Sequence, residues 1–209
     1  LRISIMGTFF INFMYNDIEI LKSHTIYVDE KARRIYMKII AIMITKLAAF
    51  GLRLIGRGGS LPGTIALKID PNILQKLQMS GPIVLITGTN GKTSTANMLT
   101  EAFLADGKHV ISNRKGDNLL AGVTTTMLTN ADLRGRIKAD AAVLEVDELN
   151  IPYIIKGLPV SALVVTNFFR DQLDRAKEME QLISRIENSI SDFKGMLILN
   201  PNDPNVVRL

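Results

Sequence analysis

The residues best placed to do chemistry run from Ile83 to Ser94, where the β-formers Ile83-Val84-Leu85-Ile86 lead through Thr87 into Gly88-Thr89-Asn90-Gly91-Lys92-Thr93-Ser94. Glycines that let backbone N–H groups converge on an anion, a lysine charge, a hydroxyl suited to Mg²⁺ and the positive end of a following helix are what nucleotide phosphates require. The segment predicts ATP or GTP binding, with Gly88, Thr89, Asn90, Gly91, Lys92, Thr93 and Ser94 around the phosphates. Its spacing, G-x-x-G-K-T, is shorter than the general phosphate loop, because Ile86 stands where the first glycine of G-x-x-x-x-G-K-[ST] would fall. Taken alone, a strained turn without ligand is the competing reading.

Three further places hold polar residues where apolar runs end. Ala141-Ala142-Val143-Leu144 delivers Glu145-Val146-Asp147-Glu148. Mg²⁺ takes oxygen ligands, usually one or two carboxylates beside nucleotide phosphates, so Glu145 is the expected ligand together with Thr93; a solvated acidic turn is the alternative. After the run 162–165 comes Thr166-Asn167-Phe168-Phe169-Arg170-Asp171-Gln172-Leu173-Asp174-Arg175. Asn167, Arg170, Asp171 and Gln172 crowd two phenylalanines there and are candidates for the nucleotide side, although Asp171 would serve equally as a helix N-cap. The turn Gly116-Asp117-Asn118 offers Asn118, with loop geometry alone as the other explanation.

The surrounding pattern says how these places are brought together. Strand and helix alternate after the loop: helix 96–105, strand 109–112, strand 141–146, strand 162–166, helix 178–190 and strand 196–199. The strands are nearly continuous aliphatic runs, as expected when helices cover both faces of a parallel sheet. The fold class is therefore α/β, doubly wound, with a mainly parallel sheet of P-loop type, and in such sheets ligands sit outside the carboxyl ends of the strands. Upstream, Ile39, Met43, Leu47, Phe50 and Leu54 recur at helical spacing and predict an amphipathic helix over 37–56. Lys38, Lys46 and Arg53 interrupt it and argue against a spanning helix. Two readings stay open: packing on the nucleotide domain, or lying as a basic helix on an anionic membrane face. Gly56, Gly58, Gly59 and Pro62 are expected to end it, and Asp70-Pro71-Asn72 to begin a short second helix.

With 209 residues, 47% hydrophobic and 22% charged, the chain is globular rather than disordered. It has no cysteine, which excludes disulfides, thiolate-bound zinc and a thiol nucleophile within it. The net charge of +5 is modest and the few aromatics are not interleaved with basic residues, so no nucleic-acid partner is expected. Residues 1–36 lack the period and the cleavage signature of a signal peptide, and with Met37 a credible initiator they read as upstream sequence or a poorly ordered extension. The expected division is 1–36, a helical segment 37–80, and the nucleotide domain 81–209.

Taken in order, Thr87-Gly88-Thr89-Asn90-Gly91-Lys92-Thr93, Glu145-Val146-Asp147-Glu148, Thr166 to Arg175 and Leu199-Asn200-Pro201-Asn202-Asp203-Pro204 resemble the Mur ligase superfamily, whose short loop has this G-x-x-G-K-T form. Arg57-Gly58-Gly59, Leu61-Pro62-Gly63, Lys68-Ile69-Asp70 and Arg170-Asp171-Gln172-Leu173-Asp174-Arg175 make it most similar to the MurT branch, the synthetase subunits of lipid II isoglutaminyl synthase. The resemblance covers roughly 37–209. It implies that Lys92 counters phosphate charge, that Thr93 and Glu145 hold Mg²⁺, that Asn118 lies near the γ-phosphate and that Asn200 belongs to a segment beside adenine and ribose. Gln172 replaces a histidine that ligates a second metal in other Mur ligases, and no lysine matches their carbamylated one, Arg185 being nearby. One Mg²⁺ is the expectation.

The same resemblance implies ATP-dependent amidation of the D-glutamate α-carboxyl of the lipid II stem peptide through an acyl phosphate, in the cytoplasm at the inner face of the plasma membrane, where helix 37–56 would aid peripheral contact. Ammonia would come from a separate GatD-like glutaminase subunit, since such enzymes use the cysteine nucleophile this chain lacks. Relatives of that branch are about twice as long, so zinc is expected only in downstream sequence, and the chain alone is expected to be inactive. A folylpolyglutamate-like ligase would favour histidine at Gln172, a GTPase would need a base-reading Asn-Lys-x-Asp segment, and a non-catalytic ATP-binding fragment is the remaining alternative.

Overall fold

The computed structural model describes residues 30–54, 59–113, 117–169 and 176–209. Its frame is a five-stranded sheet of β2 (Ile83–Thr87), β3 (Val110–Ser112), β5 (Ala141–Glu145), β6 (Ala162–Val165) and β7 (Met196–Leu199), in the spatial order β3-β5-β2-β6-β7. Every pairing in it is parallel. The two-residue strands β1 (Gln78–Met79) and β4 (Arg136–Ile137) pair separately. Parallel neighbours need crossovers, and α3 (Lys92–Ala105), α4 (Leu120–Asn130), α5 (Ile151–Gly157) and α6 (Ala176–Ile190) supply them, after α1 (Glu30–Leu54) and α2 (Leu61–Ile69).

Alternation along the strands divides the core. Ile86 and Val143, with Val84 and Val164, face α3 through Ala96, Leu99 and Phe103. Leu85, Leu144 and Leu163 face the larger core, which buries Ile42, Ile73, Met127 and Ile186 from the other helices and connections. This is the doubly wound α/β sheet that the aliphatic runs predict, with helices on both faces.

Three helices carry little helical signal in the sequence. Leu61-Pro62-Gly63 reads as a breaker, yet Pro62 sits in the first turn of α2, where its missing N–H costs nothing. The chain is helical again by Leu61, so Pro62 starts a helix rather than ending one. Gly63 lies against α4: a Cβ there would stand 1.8 Å from the Ala121 carbonyl oxygen, and its N–H donates to Thr125 Oγ1 at 2.8 Å. Helix α4 is rich in threonine, a poor helix former. Thr124, Thr125 and Thr129 are accommodated by returning their hydroxyls to the carbonyls of Leu120, Ala121 and Thr125, four residues back. Helix α5, Ile151–Gly157, is too short for periodicity to declare it. The turn at Asp70-Pro71-Asn72 does begin a short helix, of 3-10 type, at Ile73–Lys76.

Helix α1 starts at Glu30 and runs through Met37 without a break. It packs on α2 and α4, burying Ala41, Ile42 and Thr45. Its two central lysines reach across to the same body: Lys38 Nζ donates to the Arg134 carbonyl and Lys46 Nζ to the Thr129 carbonyl, each at 2.8 Å. Of the two readings left open by the sequence, contact with the α/β domain is thus realised.

Candidate functional site

Register brings three strand ends together. Ile86 of β2 lies opposite Glu145 of β5, and Thr87 opposite Val165 of β6, so Gly88, Glu145 and Thr166 emerge at one edge of the sheet. Thr87 is fully buried and its Oγ1 donates to the Val146 carbonyl at 2.8 Å, tying β2 to the segment after β5.

The turn after β2 demands glycine where it is tightest. Gly88 has φ 127°, and a Cβ would meet Thr166 Oγ1 at 2.2 Å. Gly91, at φ 81°, is the N-cap of α3, and no side chain caps the helix there. Open space surrounds the point where a Gly91 Cβ would stand. The first N–H groups of α3 therefore face outward without a side-chain acceptor, and such groups with the helix dipole form an anion cradle. Thr93 and Ser94 are exposed on that first turn.

Asn167 shapes the turn. Its Oδ1 accepts from the Asn90 N–H at 3.0 Å, its Nδ2 donates to the Asn90 carbonyl at 2.9 Å, and its own carbonyl accepts from the Thr89 N–H at 2.8 Å. Thr166 Oγ1 adds a bond to the Asn90 carbonyl at 2.7 Å, and Thr89 Oγ1 accepts from the Phe169 N–H at 3.0 Å. The candidate Asn167 thus works as a template for the loop backbone. It is placed in turn by Phe168, which is buried in the core, with its N–H on Asp203 Oδ2 and its carbonyl on Asn205 Nδ2, both at 3.0 Å. Asn200, expected beside adenine, uses its amide internally: Nδ2 donates to the Thr166 carbonyl at 2.9 Å and Oδ1 accepts from the Asn202 N–H at 3.0 Å. The segment after β7 is, in this structure, the prop of the segment after β6.

Lys92 folds back onto its own loop. Nζ donates to the Gly88 carbonyl and lies 3.4 Å from Glu148 Oε1, the two side chains being only 14% and 13% exposed. Glu148 belongs to the acidic run but was not singled out by the sequence; the signal available was its spacing, three residues past Glu145 at a strand end.

Glu145 is 5% exposed, and its Oε1 accepts from Asn118 Nδ2 at 3.3 Å. Its backbone is clamped by Asn113, which stands in no recognisable motif. Asn113 Oδ1 accepts from the Glu145 N–H and Asn113 Nδ2 donates to the Glu145 carbonyl, both at 2.8 Å. Asn113 stands one residue after β3, the same kind of strand end that singled out the others. The Asn118 carbonyl accepts from the Asp147 N–H at 2.9 Å, and Asn150 Oδ1 from the Leu120 N–H at 3.1 Å, so the start of α4 is sewn to the acidic segment.

Among the described residues no three His, Cys, Asp or Glu side chains converge as a self-sufficient metal cage. A buried carboxylate at the strand end next to β2, and exposed hydroxyls on the helix turn that follows β2, are donor types suited to Mg²⁺, which keeps waters and phosphate oxygens as its remaining ligands. Gly116, Arg170, Asp171 and Gln172 lie outside the described residues.

Fold and site define a class: a doubly wound parallel α/β domain whose central strand passes through a glycine turn into a helix, with a carboxylate on the neighbouring strand end. The chain belongs to the Mur ligase family, its residues 86–209 matching the Mur ligase middle domain. It is 42% identical over 171 residues to the lipid II isoglutaminyl synthase (glutamine-hydrolyzing) subunit MurT of Staphylococcus aureus (strain COL), covering 81% of this chain and 38% of that protein. The Streptococcus pneumoniae MurT subunit is 34% identical, with 79% and 37% covered. Among solved structures, a pseudomurein peptide ligase type C from Methanothermus fervidus superposes with a TM-score of 0.50 at 26% identity, over 66% of this chain and 27% of that one. MurF from Acinetobacter baumannii gives 0.50 at 19% identity, over 71% and 32%, and speaks for the fold alone. The chain spans less than two fifths of the length of these two MurT subunits.

Proposed function

We propose that this chain supplies the ATP-binding part of a ligase that amidates a carboxyl group, of the lipid II isoglutaminyl synthase kind. ATP phosphorylates the α-carboxyl of D-glutamate in a lipid-linked peptidoglycan stem, forming an acyl phosphate and ADP. Ammonia attacks the acyl carbon, the C–O bond to phosphate breaks, a proton leaves the nitrogen, and phosphate and the carboxamide are released. The observation that carries the reading is the convergence of the Gly88–Thr93 turn, the N-terminus of α3 with no side-chain cap, and buried Glu145 at adjoining strand ends. Similarity to MurT subunits over most of the chain supports the choice of acceptor.

The roles follow from chemistry. Backbone N–H groups of 88–94 and the α3 dipole bind phosphate oxygens, and Lys92 exchanges Glu148 for the transferred phosphoryl group, where its charge counts most. Thr93 and Glu145 would hold Mg²⁺, which when bound neutralises phosphate charge; Asn118, on Glu145 Oε1, orients that carboxylate. Asn167 keeps the loop backbone in shape, so the phosphates meet preorganised donors. Ammonia comes from a glutaminase subunit resembling GatD, a reading supported by similarity to glutamine-hydrolyzing synthase MurT subunits. The setting is the cytoplasm.

The test combines a longer MurT relative with a glutaminase subunit, glutamine, Mg·ATP and lipid-linked stem peptide, followed by mass spectrometry of the stem, with ammonium salt replacing the glutaminase in a second arm. Nucleotide binding is measured in parallel. Conversion of carboxylate to carboxamide in the longer relatives under conditions where this chain binds no nucleotide would refute the assignment. Binding of Mg·ATP by this chain with loss on Lys92→Ala supports it.

A further inference from the structure

Helix α1 is apolar on two opposite faces. One buries Ala41, Ile42 and Thr45 against α2 and α4. On the other, Tyr36, Met43, Leu47, Phe50 and Leu54 follow one another at spacings of seven, four, three and four residues, which is a single stripe along a helix. All are exposed, Leu47 to 67% and Leu54 to 73%. Helix Ala32–Leu54 is long and apolar enough to cross a membrane by length and composition, with a mean hydropathy of 1.8 in its most apolar window, only 17% of which is buried. Crossing is opposed by its packing: Lys38 and Lys46 hold it along the domain surface by their bonds to the Arg134 and Thr129 carbonyls. Those bonds also turn the central charges toward the protein body and leave the outer stripe uncharged.

Charge chooses the occupant. No Asp or Glu occurs from Lys31 to Ile69, whereas Arg33, Arg34 and Arg53 stand near the two ends of the stripe. Arg34 pairs with Glu30 at 2.6 Å, leaving the helix with a net positive charge. A protein surface facing this stripe would need apolar area alone. An anionic bilayer would answer both features, the stripe entering the acyl boundary and Arg33 and Arg53, on the flanks of the stripe, meeting lipid phosphates.

We propose that the outer face of α1 is a lipid-docking surface, which seats the domain flat on an anionic bilayer with α1 parallel to the membrane plane. This does not rest on the proposed ligase activity, because the surface lies on a different element from the nucleotide loop and its binding needs no ATP. The experiment is flotation of the whole 209-residue chain with vesicles of phosphatidylcholine alone or mixed with phosphatidylglycerol, at low and high salt. The chain is expected to float with the anionic vesicles, to bind neutral ones at least tenfold less, and to be weakened by salt. The double variant Leu47→Glu/Phe50→Glu changes exposed positions only and is expected to abolish flotation while keeping the circular dichroism spectrum and melting temperature. Failure to float with anionic vesicles, or flotation unchanged in the double variant, overturns the proposal. So does a dimer in analytical ultracentrifugation that the double variant dissolves, because the stripe would then be an interface between two copies.

Discussion

At the residue scale, the loop's behaviour turns on what touches Gly88 and Lys92. With a Cβ 2.2 Å from Thr166 Oγ1 and a φ of 127°, Gly88→Ala cannot be accommodated without moving Thr166, whose hydroxyl also holds the Asn90 carbonyl. We expect a loss of about 2 kcal/mol in stability, read by urea denaturation, together with loss of nucleotide binding. Lys92 presents a different balance: its ion pair with Glu148 must be given up before it can meet a phosphate. Releasing it by Glu148→Gln is expected to tighten nucleotide binding roughly fivefold, equivalent to about 1 kcal/mol. Titration calorimetry checks this, and weaker binding in the variant would show that Glu148 helps the ligand rather than competing with it. Both residues were legible in the sequence as types, but their partners were not. Glu148, Thr166 and Asn113 meet the site through strand register, and no local pattern announces register between strands separated by whole crossovers.

At the element scale, the sheet was legible and half the helices were not. Strands β2, β5 and β6 are aliphatic runs packed under helices and β7 is an aliphatic run on the exposed edge of the sheet, and periodicity suffices to find them. Helices α2 and α4 are hidden because their residues answer to each other: Gly63 exists for the close approach of Ala121, and the threonines of α4 satisfy themselves on its own carbonyls. Gly63→Ala is accordingly expected to lower stability by about 2 kcal/mol or more through overpacking, measured as a fall in melting temperature, without direct contact with the loop. The chain after β7 is tied to α6 by Arg208, whose guanidinium meets both Glu180 oxygens at 2.7 Å. The Arg208 hydrogen bonds and charge hold the Glu180 carboxyl below its ordinary range. A lowered folded-state value means the contribution is present above the ordinary carboxylate range and is lost as pH falls through the lowered value. Denaturation curves of the wild type and Glu180→Gln should therefore differ at neutral pH and converge on acidification; a difference that persists unchanged in acid would contradict the assignment.

At the scale of the whole molecule, one edge of the sheet gathers the glycine turn, the buried carboxylate and the supports of both, while α1 on the flank carries an apolar stripe away from it. The resemblance in the sequence anticipated the family and set Asn200 beside the nucleotide, as its strand-end position did Asn167; in the structure the amides of both bond to backbone. That distinction is geometric: an asparagine at a strand end can face a ligand or brace a neighbouring loop, and its type and spacing are the same in both cases. The central claim is that the turn from Gly88 to Thr93 binds nucleotide phosphates with Glu145 at its side. Calorimetric titration of the folded chain with ATP, with and without Mg²⁺, tests it most directly. The account predicts binding that Mg²⁺ strengthens, that Lys92→Ala weakens at least tenfold, and whose Mg²⁺ dependence Glu145→Gln removes. Equal binding by the wild type and Lys92→Ala, or no binding by a folded wild-type chain at millimolar Mg·ATP, would contradict it.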